Sequence, residues 1–428
     1  MTIYVVRHGD SLYSISQKFG ISMDIISSVN KLYEIPSLVI GQALVIPTTE
    51  TVYVVQPGDS LWSIGRKFGI NYEALARYNR IPYPYILQVG MTLRIPEASK
   101  NFGYIEVNGF IEPSTTTEEV NTVNEVGRYL TYISPFSYQV NADGTINDIE
   151  DSAIRNTASN YNVASLMVIT NFSEGNFRTE LAHTILTNND IQQKLIDNVL
   201  ATMKDKKFYG LNIDFERVLP ADRELYNSFL RKMAQTLHNN NYVLSTSLAP
   251  KISATQVGEW YEAHDYPAHG EIVDFVIIMT YEWGWSGGPP MAVAPINSVK
   301  KVLDYAVSVI PPKKIIMGMP LYGYDWKLPY VPGGPFAARV SPQKALSIAS
   351  NYGSIVKYDQ VAQSPFFNYY DENKVNHVVW FEDARSVRVK FLTAVEYGLR
   401  GVSYWLLGQS FPQNWAVLDD MFNIVKVL

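Results

Sequence analysis

Gly210-Leu211-Asn212-Ile213-Asp214-Phe215-Glu216 alternates in polarity over seven residues. In an extended strand successive side chains point to opposite faces, so Leu211, Ile213 and Phe215 share one face and Asn212, Asp214 and Glu216 the other. Short apolar strands separated by amphipathic stretches lie on both sides of this segment. Candidate strands fall near residues 106–111, 129–136, 165–170, 208–216, 242–248, 273–281, 314–322 and 400–406, and helical stretches near 190–203, 224–239 and 298–309. Eight strands alternating with helices over 102–428 predict an α/β chain folded as a (β/α)8 TIM barrel. The interval from Asp325 to about Trp380 is too long for one connection. A helical piece at 341–351 and strand-like pieces at 366–370 and 376–380 predict a small α+β insertion at about 325–380.

In such a barrel chemistry sits at the C-terminal ends of the strands. At roughly 3.3 Å per residue, the Cα atoms of Asp214 and Glu216 are about 6.6 Å apart. Two carboxylates facing one low-dielectric space repel, so one pKa is expected to rise. A carboxylic acid protonated near neutral pH is what general-acid catalysis needs. The competing reading is a solvated edge strand of alternating polarity, and the strand's position mid-domain among apolar neighbours speaks against it.

Shifting the chain by 49 positions aligns Tyr4-Val5-Val6 with Tyr53-Val54-Val55, Gly9-Asp10-Ser11-Leu12 with Gly58-Asp59-Ser60-Leu61, and Lys18-Phe19-Gly20-Ile21 with Lys67-Phe68-Gly69-Ile70. Asn30 meets Asn79, Gly41 meets Gly90, and Ile46-Pro47 meets Ile95-Pro96, without a gap. An internal repeat is the explanation. Each copy reads as strand, helix, helix, strand, with Asp or Ser of the turn able to cap the first helix. Leu12, Ile15 and Phe19, at helical spacing, read as core.

The repeats resemble the LysM module, a small binder of glycans containing N-acetylglucosamine, and modules are expected at 1–48 and 50–97 with the barrel at 102–428. The resemblance implies a sugar groove near Gly9, Asp10, Ser11 and Leu12 with residues 35–38, and near Gly58, Asp59, Ser60 and Leu61 with residues 84–87. Tyr13 and Trp62 are open to either a ligand or a packing role.

The 428 residues carry 35 Lys and Arg against 41 Asp and Glu, a net charge of −6, which argues against a general nucleic-acid binder. No apolar run approaches the roughly 18–20 residues of a membrane span. With no cysteine, disulfides, thiolate metal sites and a cysteine nucleophile are excluded. The six histidines form no metal-binding pattern, and no phosphate loop or nicotinamide fingerprint appears, so neither metal nor cofactor is expected. Met1-Thr2-Ile3-Tyr4-Val5-Val6 is strand-like rather than a secretory leader, so classical secretion is not expected. The 29 Tyr, 18 Phe and 8 Trp suit either flat sugar faces or a large core.

The fourth strand resembles the Asp-x-x-Asp-x-Asp-x-Glu signature of glycoside hydrolase family 18, the chitinase-like barrels. That resemblance puts the acid at Glu216 and the orienting carboxylate at Asp214. The two earlier Asp positions hold Tyr209 and Asn212, a departure that bears on the pH profile; Asn212 remains able to hydrogen-bond Asp214. Met279-Thr280-Tyr281-Glu282 is similar to the sixth-strand motif, implying that Tyr281 bonds the substrate acetamido group, with Glu282 in place of the usual Asp or Asn. Gly318-Met319-Pro320-Leu321-Tyr322-Gly323 and Ser403-Tyr404-Trp405 resemble the seventh and eighth strands. Tyr322 is thereby a candidate substrate contact, and Trp405 the floor under the sugar. Trp283 and Trp285 line subsites or pack a loop. The third-strand Ser-x-Gly-Gly pattern is absent; Thr170-Asn171-Phe172-Ser173-Glu174-Gly175 stands there.

The family implies a retaining mechanism in which the substrate's own acetamido oxygen attacks the anomeric carbon. The combination also resembles the spore cortex-lytic glucosaminidases of endospore-forming bacteria. It implies a monomer acting on peptidoglycan in the spore, at the coat–cortex boundary, or in the cell wall, during germination and without a membrane partner. A chitinase, an inactive glycan-binding lectin and a structural coat protein are the alternatives.

Overall fold

The computed structural model describes residues 1–47, 51–68, 72–79, 81–95, 100 and 102–428. Gly69, Ile70 and Pro96 of the repeat alignment, and linker residues 97–99 and 101, lie outside them. Eight parallel strands close into a barrel: Tyr104–Ile111, Tyr132–Pro135, Ala164–Thr170, Gly210–Asp214, Val243–Leu248, Phe275–Ile278, Ile315–Pro320 and Gly401–Trp405. Spatial order follows sequence order, and the ring closes where Gly401 to Tyr404 lie opposite Glu106 to Gly109. The predicted (β/α)8 barrel is therefore the fold.

Strand alternation divides the core. Leu211, Ile213 and Phe215 face outward among side chains of the surrounding helices. The inward side is apolar at Tyr132, Leu166, Phe275, Ile277 and Ile316 and polar at Asn108, Ser134, Asn212, Ser245, Ser247 and Ser403. The inward polar groups satisfy one another: Asn108 Nδ2 donates to Ser403 Oγ at 2.9 Å and Ser134 Oγ donates to Asn108 Oδ1 at 2.8 Å. Some of the helices begin on side-chain caps, as at Thr115 with its Glu118 capping box and at Asn188, whose Oδ1 accepts from Asp190 and Ile191.

Between the seventh and eighth barrel strands stands a five-stranded antiparallel sheet of Gly323–Leu328, Ala338–Val340, Lys357–Asp359, Ser364–Tyr370 and Asn376–Trp380, with the helix Pro342–Asn351. Its first strand, not read from the sequence, starts at Gly323, where a Cβ would stand 2.1 Å from the Trp380 carbonyl oxygen. The two faces of this sheet serve different neighbours. Tyr324, Trp326 and Val378 pack with Tyr281 and Trp405 of the barrel mouth. Phe367, Val379 and Phe381 pack with Ile35 and Val39 of the first repeat.

Each repeat is a two-stranded antiparallel sheet, Thr2–Val5 with Ala43–Ile46 and Thr51–Val54 with Thr92–Ile95, flanked by two short helices. The Gly-Asp-Ser turn builds the unit. Asp10 accepts from the Tyr4 hydroxyl and the Arg7 amide, both at 2.7 Å, and Ser11 caps the helix Leu12–Phe19 with a box closed by Ser14. Asp59 repeats those bonds with Tyr53 and Gln56, and Ser60 with Ser63. Leu61 is a buried core residue, which removes it as a glycan contact, and Leu12 packs at the edge of the equivalent core.

The first repeat is docked on the catalytic body. Ala43 and Val45 join the barrel's outer core, the Met1 amine pairs with Asp420 at 2.8 Å, and Lys31 pairs with Glu125 at 2.7 Å. Gln343 Nε2 donates to the Asn30 carbonyl at 3.0 Å and Arg385 Nη2 to that of Gly41 at 3.1 Å.

Gly41 and Gly90 occupy matching turns at φ +84° and +86°. A Cβ on Gly41 would stand 1.9 Å from the Val356 carbonyl oxygen, whereas nothing lies within 4 Å of one on Gly90. Both alanines carry the same left-handed strain, and only Gly41→Ala also meets the docking surface. Overpacking of about 1–3 kcal/mol, at roughly 2 °C per kcal/mol, puts the calorimetric melting of Gly41→Ala about 2–6 °C below that of Gly90→Ala. Equal melting would mean that docking contributes nothing to the stability of the body.

Candidate active site

The fourth barrel strand runs to Asp214 and leaves the mouth through Phe215 and Glu216. Phe215 anchors this exit from outside, its ring stacked on Tyr226 at 6.0 Å and Phe229 at 6.1 Å. Its carbonyl is held by a buried imidazole. The Ala249 amide donates to His264 Nδ1 at 2.8 Å, so the ring proton sits on Nε2, which donates to Phe215 O at 3.0 Å. Burial pushes His264 down to about 4, keeping the ring neutral.

Glu216 is positioned by its own backbone. Asn171 Nδ2 donates to the Glu216 carbonyl at 2.8 Å, and the Glu216 amide donates to Asn171 Oδ1 at 3.0 Å. This two-point clamp fixes the peptide unit that carries the acid. Burial first, and then the charge of Asp214, raise the Glu216 carboxyl well above the ordinary carboxylate range, while Arg217 pulls the other way. Asp214 is buried and likewise raised by desolvation, opposed by a hydrogen bond from Ser247. Both carboxyls are thus raised, where alternation alone led us to expect one.

Asn212 does not make the direct bond to Asp214 that its position allows. Its Oδ1 accepts from Ser245 Oγ at 2.9 Å, and its Nδ2 donates to Ser247 Oγ at 3.0 Å. A serine of the fifth strand therefore relays between the two. Tyr209, at the motif's first position, lies ahead of the strand with its ring 6.0 Å from that of Tyr132, at the end of the barrel away from the mouth.

Tyr281 follows the sixth strand, half-buried, and Gly318 makes room for it: a Cβ there would stand 2.8 Å from Tyr281 Cε1. Burial, with the nearby carboxylates, keeps its phenol protonated, a donor throughout the ordinary pH range. Glu282, at φ +68°, accepts from the hydroxyls of Tyr322 and Tyr324. Tyr322 is buried and its hydroxyl is engaged there, which makes it a positioning residue rather than the substrate contact expected. Trp405 ends the eighth strand half-buried, its ring edge-on to Phe136 at 4.8 Å and 5.7 Å from Phe110. Trp283 packs against the core, while Trp285 is exposed beside Phe336, ring centroids 6.1 Å apart.

Asn171, Ser247, His264 and Tyr324 escaped the sequence reading. A signal existed for Asn171, which follows the third strand's last residue as a polar group at a strand end.

Ser247→Ala removes a bond that favours ionised Asp214, so the carboxyl pair should take up its second proton at higher pH. A bond of about 1 kcal/mol corresponds to roughly half to one pH unit, read by carboxyl 13C NMR titration. An unmoved titration would show that Ser247 does not tune the pair.

Residues 108–410 match glycosyl hydrolases family 18, and residues 4–47 and 53–96 match the LysM domain. The chain is 51% identical to the cortical fragment-lytic enzyme of Bacillus subtilis (strain 168), covering 100% of this chain and 99% of that one. It is 36% identical, over all of both chains, to the putative sporulation-specific glycosylase YdhD of the same organism. The crystal structure of the Bacillus megaterium spore cortex-lytic enzyme SleL superposes with a TM-score of 0.88 at 44% identity, covering 100% of this chain and 99% of that one. With a pair of raised carboxyls at the mouth of an eight-stranded barrel and a family match across most of its length, the chain is a glycoside hydrolase belonging to glycosyl hydrolases family 18, with two LysM domains ahead of the barrel.

Proposed function

We propose that this chain is an N-acetylglucosaminidase of spore cortex peptidoglycan, cutting after N-acetylglucosamine with retention of configuration during germination. The observation that carries the reading is the Asp214–Glu216 pair, Asp214 buried and Glu216 half-buried, whose environment raises the Glu216 carboxyl toward the protonated form. The cortical fragment-lytic relative supports the choice of polymer. Asp214 Oδ1 is buried with no hydrogen-bond partner among the described residues, an acceptor suited to an acetamido N–H.

Glu216 gives its proton to the glycosidic oxygen as the bond to the anomeric carbon breaks. The acetamido carbonyl oxygen, steered by Asp214 and the Tyr281 hydroxyl, forms the new bond to that carbon and closes an oxazolinium ring. Glu216, now a carboxylate, takes a proton from water as the water oxygen bonds to the anomeric carbon on the face the leaving group vacated, breaking that carbon's bond to the acetamido oxygen and restoring the acetamide. Trp405 forms the floor under the sugar, with Glu282 and Asn212 completing the surroundings. All these groups come from one chain, consistent with a monomer. In the second repeat the LysM turn with Gly58, Asp59 and Ser60 frames a glycan-binding groove; the matching turn of the first, with Gly9, Asp10 and Ser11, faces a second loop already engaged by the catalytic body.

Mass spectrometry of soluble products from purified cortex, with and without borohydride reduction, tests the reading. Reducing N-acetylglucosamine ends are expected, and they should be lost in Glu216→Gln, whose turnover falls on the order of 10²–10⁴-fold. Reducing muramic-type ends would overturn the bond assignment, release from chitin alone would make the enzyme a chitinase, and undiminished activity of Glu216→Gln would end the mechanism. Because acid catalysis needs protonated Glu216, activity should persist above the ordinary glutamate pKa of about 4.3 and fall as pH rises through the raised value. Asn171→Ala should lower kcat on the order of 10–10²-fold with KM little changed, whereas a purely structural role would leave kcat alone.

A further inference from the structure

The two repeats share a fold and differ in what their second loops touch. In the first, that loop belongs to the catalytic body. Glu34 accepts from Ser410 Oγ at 2.9 Å, the Ser37 amide donates to Ser350 Oγ at 3.0 Å, and the Ile40 carbonyl accepts from the Val356 amide at 2.9 Å. Ile35 and Val39 are 7% and 3% exposed, within the core of the inserted sheet.

Forty-nine residues on, Glu34, Ser37 and Ile40 become Tyr83, Ile86 and Val89, which are 83%, 72% and 65% exposed. The Tyr83 ring stands edge-on to Tyr85 at 5.6 Å and Tyr72 edge-on to Tyr85 at 6.2 Å, an aromatic ridge kept open to solvent. Charge separates the repeats in the same sense. Residues 51–96 hold five Lys and Arg against two Asp and Glu, whereas residues 1–47 hold three of each.

Resting on the glycan reading above, we infer that capture of the anionic wall glycan belongs to the second repeat, through the ridge around Tyr83 and Ile86, and that the first repeat is a fixed structural part of the catalytic body. Apolar faces of the sugar rings lie on the ridge, and the carboxylates of peptidoglycan stem peptides meet the net charge of +3 that the second repeat carries over residues 51–96. The first repeat keeps Tyr13 and Tyr33 exposed, and they serve as the matched control.

The test is co-sedimentation of the full chain with insoluble cortex peptidoglycan and with chitin beads, alongside turnover of a soluble aryl glycoside of an N-acetylglucosamine oligomer. Tyr83→Ala/Ile86→Ala should weaken cortex binding about tenfold or more and leave soluble turnover unchanged. Tyr13→Ala/Tyr33→Ala should change neither. Added salt should weaken cortex binding of the parent and spare chitin binding, because only the cortex contact is charged. Undiminished binding by the Tyr83/Ile86 variant, an equal loss in the Tyr13/Tyr33 variant, or salt sensitivity equal on both polymers overturns the inference while the glycosidase reading stands. A parent protein that sediments with neither polymer overturns the inference and the glycan reading beneath it.

Discussion

Two carboxyl groups separated by one residue, at the end of a barrel strand, share the cost of a second negative charge. Together with desolvation, the larger cause, that constraint raises the Glu216 carboxyl, and much of the surrounding structure preserves it. Phe215 is pinned by aromatic stacking and by His264, whose burial keeps the ring uncharged. A protonated imidazole there would stabilise the ionised carboxyls and lower both. Ser247 bonds Asp214, so the negative charge is favoured on Asp214 and the proton on its neighbour. A pair of this kind titrates as a unit, which is why the serine and asparagine of the relay matter although neither lies on the reacting atoms.

The parts of the site legible in the sequence are those set by strand periodicity. Asn212, Asp214 and Glu216 announce themselves because a period of two places them opposite Leu211, Ile213 and Phe215. Asn171 does not, because its clamp on Glu216 spans 45 residues of chain and exists only once the third and fourth strands are paired. Tyr322 is ambiguous for a different reason: a tyrosine at a strand end suits either a groove wall or a buried support. Its burial and its bond to Glu282 decide for the support.

The repeats pose the converse problem. Shared motifs reveal the unit, and since Asp10 and Asp59 make the same bonds in both copies, those motifs report how each unit folds. What each copy contacts is written where the copies differ, at 34 against 83 and 37 against 86. Folding the units apart would never show it, since the contacts of Glu34 and Ser37 lie more than 300 residues away.

The inserted sheet joins these two stories. Successive residues of Asn376–Trp380 point to opposite faces, so Val378 sits in the aromatic cluster behind Tyr281 and Trp405 while Val379 sits in the core that holds Ile35 and Val39. One pleated layer therefore fixes the mouth of the barrel and the first repeat in a single frame. A glycan-binding element rigid in that frame presents polymer in one orientation only, and helps only if that orientation meets the groove. An element outside the frame raises the local concentration of substrate over a range of approaches, limited by the reach of its linker. With the linker only five residues, 97–101, and Lys100 paired to Asp419 at 2.7 Å, that range is short.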